Sequence, residues 1–385
     1  MKVGFLFNHY AGHQVFHSAP VAFALSSKYP SAQVAILVSD KKQMDVLERI
    51  AKKWPNHTCA IIKAKVPFWA RVLDKLIGKM VFVRKWAVLK ANRDFFKTLD
   101  VLVVPEENSL SLKKDPAFKN LKMVFIRHGA GDTHIGFDER QTQFDLNLVA
   151  GEKIQNRLTE EVGVPPESIA ITGYPKFDVL NQQQHETVFD NNNPTVLYNP
   201  HFRKCWSSYQ TWGRDILEFF RKNPQYNLIL APHVILYLRK WRHGAFSVDK
   251  YKKYPNIHID KGSSKSIDMT YIRQADIYLG DVSSQAYEFL TTPRPCIFLN
   301  VHKLDWRKKN FLNFWAGGRV LEDISELENA LQTAEKDHKE KYKKPQLTLF
   351  NETFSLTDTP SSHRAADAIM KHFGPNKALA DKKSA

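Results

Sequence analysis

Two serines after one short apolar run, and two histidines, an arginine and a lysine after others, are the residues of this 385-residue chain whose types and spacing could do chemistry. The segment Asp276 to Leu290 reads DIYLGDVSSQAYEFL. A strand over Ile277 to Leu279 runs into Gly280-Asp281, and Ser283-Ser284 open an amphipathic helix to Thr291 whose apolar face is Ala286, Phe289 and Leu290. The first turn of a helix has unpaired N–H groups and a partial positive charge, so two hydroxyls there make an anion site suited to phosphate oxygens. Glu288, one turn beyond Ser284, is spaced to meet sugar hydroxyls. A plain serine N-cap would use the same residues.

Further polar clusters follow expected strands, where open parallel sheets bind ligands. Arg127-His-Gly-Ala-Gly-Asp132 offers His128 between residues that permit close approach, as a general base near neutral pH. Gly173-Tyr-Pro-Lys-Phe-Asp178 is expected as a turn carrying Lys176 and a carboxylate. Tyr198-Asn-Pro-His-Phe-Arg203 offers Arg203 to a phosphate, and Ala231-Pro-His233 ends another strand on a histidine. The charge inventory points to a phosphorylated substrate. The chain has no Walker A loop, no GxGxxG after its first strand, no DxD pair and no HExxH. The expectation is a transferase with no cofactor and no metal, which neutralises a leaving pyrophosphate with protein donors.

These clusters need a scaffold, and the apolar runs supply one. Strands are expected at Val3 to Asn8, Gln33 to Ser39, Cys59 to Ile62, Val101 to Val104, Met123 to Arg127, Leu146 to Ala150 and Ile169 to Thr172. Helices at Ala19 to Ser27 and Lys42 to Lys52 lie among them. Strands apolar on both faces and separated by helices indicate a parallel sheet covered on both sides. A polar stretch, 181–194, interrupts the pattern, which then restarts with strands at Thr195 to Asn199, Tyr226 to Ala231, Ile257 to Asp260, Ile277 to Leu279 and Cys296 to Asn300. Helices at Trp212 to Lys222, Ser266 to Arg273 and Ile324 to Lys336 belong to this half. The fold class is therefore α/β, with two Rossmann-like domains facing a cleft. Residues 1–180 form the acceptor- and membrane-facing domain, 181–194 a linker, 195–359 the nucleotide-binding domain, 360–375 a helix crossing back, and 376–385 a disordered tail.

The formal net charge of +16 is unevenly placed. From Ile61 to Lys97, ten basic residues stand against Asp74 and Asp94, and 67–97 reads as basic amphipathic helices carrying Trp69, Phe82 and Trp86. Such a surface suits anionic lipid. A solvated helix face would show the same composition. A nucleic-acid patch is a third reading, for which no motif is present, so no nucleic-acid partner is expected. Three scattered cysteines, Cys59, Cys205 and Cys296, fit no disulfide framework or metal motif and suit a reducing cytoplasm. Met1 to Phe7 is too short an apolar run for a signal peptide, and no stretch is long enough to span a bilayer.

Taken in order, His128-Gly129, Gly173 to Asp178, Tyr198 to Arg203, Pro232-His233, Asp281-Val-Ser-Ser284 with Glu288, and Arg294-Pro-Cys-Ile-Phe298 resemble the CDP-glycerol glycerophosphotransferase family, which includes teichoic acid primases and polymerases. The resemblance runs from about Phe125 to Leu331 and includes Phe314 to Leu321. It implies a GT-B fold, peripheral attachment to the cytoplasmic face of the membrane, and attack of an acceptor hydroxyl on the β-phosphorus of CDP-glycerol, or a similar nucleotide-activated donor, with release of CMP. The acceptor would be lipid-linked or polymeric. His128 would be the base and His233 would steady the phosphoryl oxygens. Arg203, Ser283 and Ser284 would hold the diphosphate and Glu288 the ribose, with Asp281 and Lys176 counted among the donor-binding residues. The family pattern has Asp, Tyr and Trp where this chain has Glu288, Val282 and Arg127. Two other readings remain: a GT-B glycosyltransferase using a UDP- or GDP-sugar, and a binding protein that has lost its chemistry.

Overall fold

The computed structural model describes residues 1–8, 12–77, 83–132, 136–180, 187–238 and 244–375. The expected tail 376–385, residues 181–186 of the expected linker, and Phe82 lie outside the described residues. The chain forms two compact units, one of residues 1–128, 134–183 and 352–385, the other of 129–133 and 184–351.

In the first unit, β1 (Lys2–Phe7), β2 (Gln33–Val38), β3 (Ala60–Lys63), β4 (Val101–Val104), β5 (Lys122–Ile126), β6 (Leu146–Val149) and β7 (Ile169–Ile171) form one sheet of order β3-β2-β1-β4-β5-β6-β7. Every pairing is parallel, with Phe5 opposite Ile36 on one side and Val103 on the other. The central strands are buried on both faces, which is why they read as unbroken apolar runs, whereas the edge strand β3 is largely exposed and ends on Lys63. Helices α1 (Val15–Lys28), α2 (Lys41–Ala51), α3 (Phe68–Ile77), α4 (Val83–Ala91), α5 (Arg93–Lys97), α6 (Glu152–Glu160) and α7 (Pro175–Leu180) connect them.

The first helix begins four residues before the expected Ala19, with Pro20 inside it. Proline removes one helical hydrogen bond, but Val15, Phe16 and Ala19 are fully buried, and burying such side chains contributes about 1.5–3 kcal/mol for each large one. The segment 173–178, expected as a turn, opens α7 instead, with Pro175 as its first residue, where a missing N–H costs no helical bond.

In the second unit, β8 (Thr195–Asn199), β9 (Asn227–Leu230), β10 (Ile257–Ile259), β11 (Ile277–Gly280), β12 (Cys296–Leu299) and β13 (Arg319–Leu321) pair in the order β10-β9-β8-β11-β12-β13, again all parallel. Helices α8 (Tyr209–Lys222), α9 (Ile235–Leu238), α10 (Thr270–Gln274), α11 (Gln285–Phe289), α12 (Leu327–Asp337) and α13 (Lys343–Thr353) belong to this half of the chain, the last two joined by a π-helical turn at His338–Tyr342. Leu197's neighbours in β8, Val196 and Tyr198, join Ile216, Phe220, Leu279 and Leu331 in one core.

The chain returns to the first unit at Glu352, before the expected boundary at 359, and α14 (Ser361–Phe373) packs on α1 and α7. Asp178 holds the start of α14 by accepting from the backbone N–H groups of Ser361 and Ser362 at 3.2 and 2.6 Å. Asp367 accepts from Tyr29 Oη at 2.6 Å and pairs with Lys28. In each sheet the strand order reverses beside the first strand, between β1 and β4 and between β8 and β11. Those reversals open crevices at the carboxyl ends of the strands.

Candidate functional site

At the second reversal, Asp281 follows β11 and is fully buried. Its Oδ1 accepts from His201 N at 2.6 Å and Val282 N at 2.9 Å, and its Oδ2 from Ser208 N at 2.6 Å and Ser208 Oγ at 2.8 Å. Burial pushes its carboxyl up to about 6 against these four donors. Both oxygens are engaged, so Asp281 ties the loops after β8 and β11 together and positions what they carry.

Ser283 is buried and accepts from Gln285 N at 3.2 Å, whereas Ser284 is half-buried. The helix they open, α11, is only five residues long, shorter than the expected Ser284 to Thr291. Little more than one turn carries little dipole, so anion binding here rests on hydroxyls and backbone N–H groups more than on a macrodipole. Gly280 admits no side chain, because a Cβ there would lie 2.8 Å from Tyr278 Oη and 3.0 Å from the Asn199 carbonyl oxygen. Tyr278 Oη in turn donates to Asn199 Oδ1 at 3.2 Å. Glu288 is buried in α11.

Residues 129–133 fall within this unit although the chain on either side belongs to the first. A Cβ on Gly129, whose φ is +85°, would lie 3.4 Å from Ser284 Oγ, and one on Gly131 would lie 3.3 Å from Ser284 Cβ. The glycines therefore let backbone lie against the serine turn. Tyr287 Oη donates to Asp132 Oδ2 and fixes the far end of this loop on α11.

His233 donates its backbone N–H to Pro200 O at 3.0 Å, and its Nδ1 accepts from Ile235 N at 3.3 Å. A ring that accepts at Nδ1 carries its proton on Nε2, ready to donate to an oxygen. His201 repeats the arrangement, its Nδ1 accepting from Arg203 N at 3.0 Å, and the two rings stand 5.8 Å apart. His201 was not singled out from the sequence, where it lay between Pro200 and Phe202 with nothing to mark it. Arg203 is exposed, its guanidinium 5.1 Å from the Trp206 ring.

In the first unit His128 follows β5 and is half-buried. Its Nδ1 lies 2.8 Å from the Pro105 carbonyl oxygen, which can only accept, so the proton sits on Nδ1 and the lone pair on Nε2. The Gln14 side-chain amide nitrogen lies 3.3 Å from both ring nitrogens of His128 and 3.4 Å from Pro105 O. Desolvation, aided by Arg127 and Lys85, lowers the imidazole to about 4, with the Pro105 bond working against it. His128 is thus neutral at neutral pH but a weaker base than the sequence suggested.

Lys176 lies in α7 of this unit and is buried. Its charge helps burial hold His17 neutral.

The basic stretch divides. Phe68, Trp69 and Trp86 are 79%, 47% and 56% exposed. Arg84 turns inward to pair with Asp40 at 2.6 Å, and Lys85 is 6% exposed. Two of the ten basic residues of 61–97 are therefore interior. Among the described residues no helix is long and apolar enough to cross a membrane.

A family model described as CDP-glycerol:poly(glycerophosphate) glycerophosphotransferase matches residues 95–371. No curated protein matches by sequence. Among solved structures the chain is similar to the wall teichoic acid polymerase TagF, at 14% identity and a TM-score of 0.65, over 98% of this chain and 90% of that one. It is also similar to the UDP-GlcNAc 2-epimerase of Neisseria meningitidis bound to UDP-GlcNAc, at 14% identity and a TM-score of 0.58, over 97% and 99% of the two chains. MnaA of S. aureus with UDP gives 13% identity and a TM-score of 0.63 over 98% and 97%. At such identity the likeness is one of fold, the GT-B fold of paired Rossmann-like domains.

Proposed function

This chain belongs to the CDP-glycerol:poly(glycerophosphate) glycerophosphotransferase family and is a transferase, and from that premise we propose that it moves glycerol phosphate, or a related polyol phosphate, from a CDP-activated donor to an acceptor hydroxyl. The hydroxyl oxygen attacks the phosphorus next to the glycerol. The bond from that phosphorus to the bridging oxygen breaks, CMP leaves with the electron pair, and the hydroxyl proton passes to His128 Nε2. The observation that carries this reading is the Pro105 carbonyl holding the proton on Nδ1, which presents Nε2 as an acceptor. Bound anionic phosphate would raise the lowered imidazole towards a stronger base.

His233, through Nε2–H, steadies the phosphoryl oxygens, and Arg203 adds positive charge. Ser283 and Ser284 hold the diphosphate and Glu288 the ribose, while Asp281 positions the loops that carry them. Lys176, in the first unit with its charge acting on His17, is kept as a further donor-binding cation.

The acceptor in this reading is a membrane-associated glycan, lipid or polymer of teichoic acid or cell-surface polysaccharide synthesis, and the enzyme works on the inner face of the membrane without spanning it. The exposed Phe68, Trp69 and Trp86 among basic residues support that placement. Incubation with CDP-glycerol and with UDP-sugars, each with an acceptor, tests the donor. CMP release supports the proposal, and UDP release without CMP replaces it by a glycosyltransferase. His128→Ala should abolish turnover while nucleotide still binds.

A further inference from the structure

Beside the base, one side chain makes contacts that the transfer step leaves unused. Arg127 is the first residue after β5 and the one before His128. Its Nη1 donates to the Gly136 carbonyl oxygen at 2.7 Å, so the guanidinium joins the two feet of the loop that starts at His128. Gly136, at φ +77°, approaches so closely that a Cβ on it would lie 2.7 Å from Nη1, and a side chain there would drive the guanidinium away.

The same guanidinium lies over the Phe137 ring, its Cζ 3.8 Å from the ring centre, and Arg157 of α6 lies over that ring at 3.7 Å. One ring face has room for one planar group at such a distance, so Phe137 is held between two guanidiniums. Phe137 packs on the small core of Val149, Ile154, Leu158, Val164 and Ile169, and Arg157 pairs with Glu161 at 3.0 Å. The contact is thus anchored on β6, α6 and β7. A loop with glycines at 129, 131 and 136 has much backbone freedom to lose. The bond from His128 Nδ1 to Pro105 O orients the ring, but the backbone on which the ring pivots needs a second restraint.

Resting on the transferase reading above, we infer that Arg127 is a positioning residue, which closes the glycine loop onto Phe137 and so holds His128 Nε2 where it can take the hydroxyl proton. Its charge has a second effect. Burial is the larger cause of the lowered imidazole, and the positive charge of Arg127 works in the same direction. The other charged groups about the ring are Lys85 on α4 and His17 on α1, with Glu106 and Glu107 after β4 acting on Lys85.

Three variants of the full chain test this. Arg127→Lys keeps the charge but not the flat stack, Arg127→Gln keeps an amide donor for Gly136 O but loses the charge, and Phe137→Leu removes the platform and leaves Arg127 itself. The kcat for CMP release should fall about tenfold to a hundredfold in all three, as when a base is displaced by about an ångström, while KM for CDP-glycerol stays within about twofold. Backbone amide exchange at His128 and Gly129 should quicken in all three. The His128 ring resonance should titrate at higher pH in Arg127→Gln and as in wild type in Arg127→Lys. An arginine that only stabilised the fold would lower the thermal midpoint and leave kcat per folded molecule and the resonance unmoved. Unchanged kcat or amide exchange in Arg127→Lys and Phe137→Leu, or an unshifted resonance in Arg127→Gln, overturns the inference. Exchange and resonance need no donor, so absence of CMP release by wild type would defeat the donor reading while these two measurements still decide the role of Arg127.

Discussion

The lowered imidazole of His128 makes a quantitative prediction about acid. Burial takes it from 6.5 to about 4, so at pH 6, where an ordinary histidine is about three-quarters protonated, only about one molecule in a hundred should carry the proton. Following the ring resonances in the free protein from pH 3.5 to 8 gives the value directly, with His128→Gln assigning the signal. In turnover, the acid limb of kcat/KM reports the free enzyme and should fall near 4 rather than near 6.5. The sign for stability follows. Between 6.5 and about 4 the unfolded chain binds the proton and the folded chain does not, so acid destabilises, by about 1.4 kcal/mol per pH unit and about 3 kcal/mol in all. Asp281 acts in the opposite sense: raised to about 6, it contributes stability below its unfolded value that is lost as pH rises through about 6. Stability of the wild type alone therefore does not isolate His128, and the resonance does. A titration midpoint near 6.5 would refute the claim that this ring is desolvated and fixed on Pro105.

Asp281→Asn places an amide N–H against donors now served by a carboxylate oxygen, and should destabilise the second unit by about 2–4 kcal/mol in urea unfolding, net of the relief from burying a charge. Asp178→Ala leaves the first N–H groups of α14 without their cap, so a loss of about 1–2 kcal/mol in the same assay is expected. Replacing Trp69 and Trp86 by alanine should lower co-sedimentation with anionic vesicles several-fold, and equal pelleting of wild type on neutral vesicles would reject an electrostatic attachment.

Strands were the most legible part of the fold, because residues such as Val101 to Val104 are buried on both faces and their composition reports it. The three-residue strand Arg319–Leu321 was not read, being too short and too mixed to show a period. Side-chain direction was hidden as well. Composition placed Arg84 and Lys85 on a basic surface, while the close partner that draws Arg84 inward, Asp40, lies outside that stretch. The same holds at the site. His128 and the serine pair stood out by type and by their place after apolar runs. Gln14, 114 residues before His128, and His201, one imidazole among fifteen, gained meaning only from the atoms beside them. The excursion of residues 129–133 into the second unit had no signal beyond its glycines.

The donor is the central claim, and CMP is its product. Purified wild type given CDP-glycerol and a polyol acceptor should release CMP in step with gain of glycerol phosphate on the acceptor, and His128→Ala should bind the nucleotide yet release none. UDP from a UDP-sugar with no CMP from CDP-glycerol, or undiminished CMP from the alanine variant, would contradict the account.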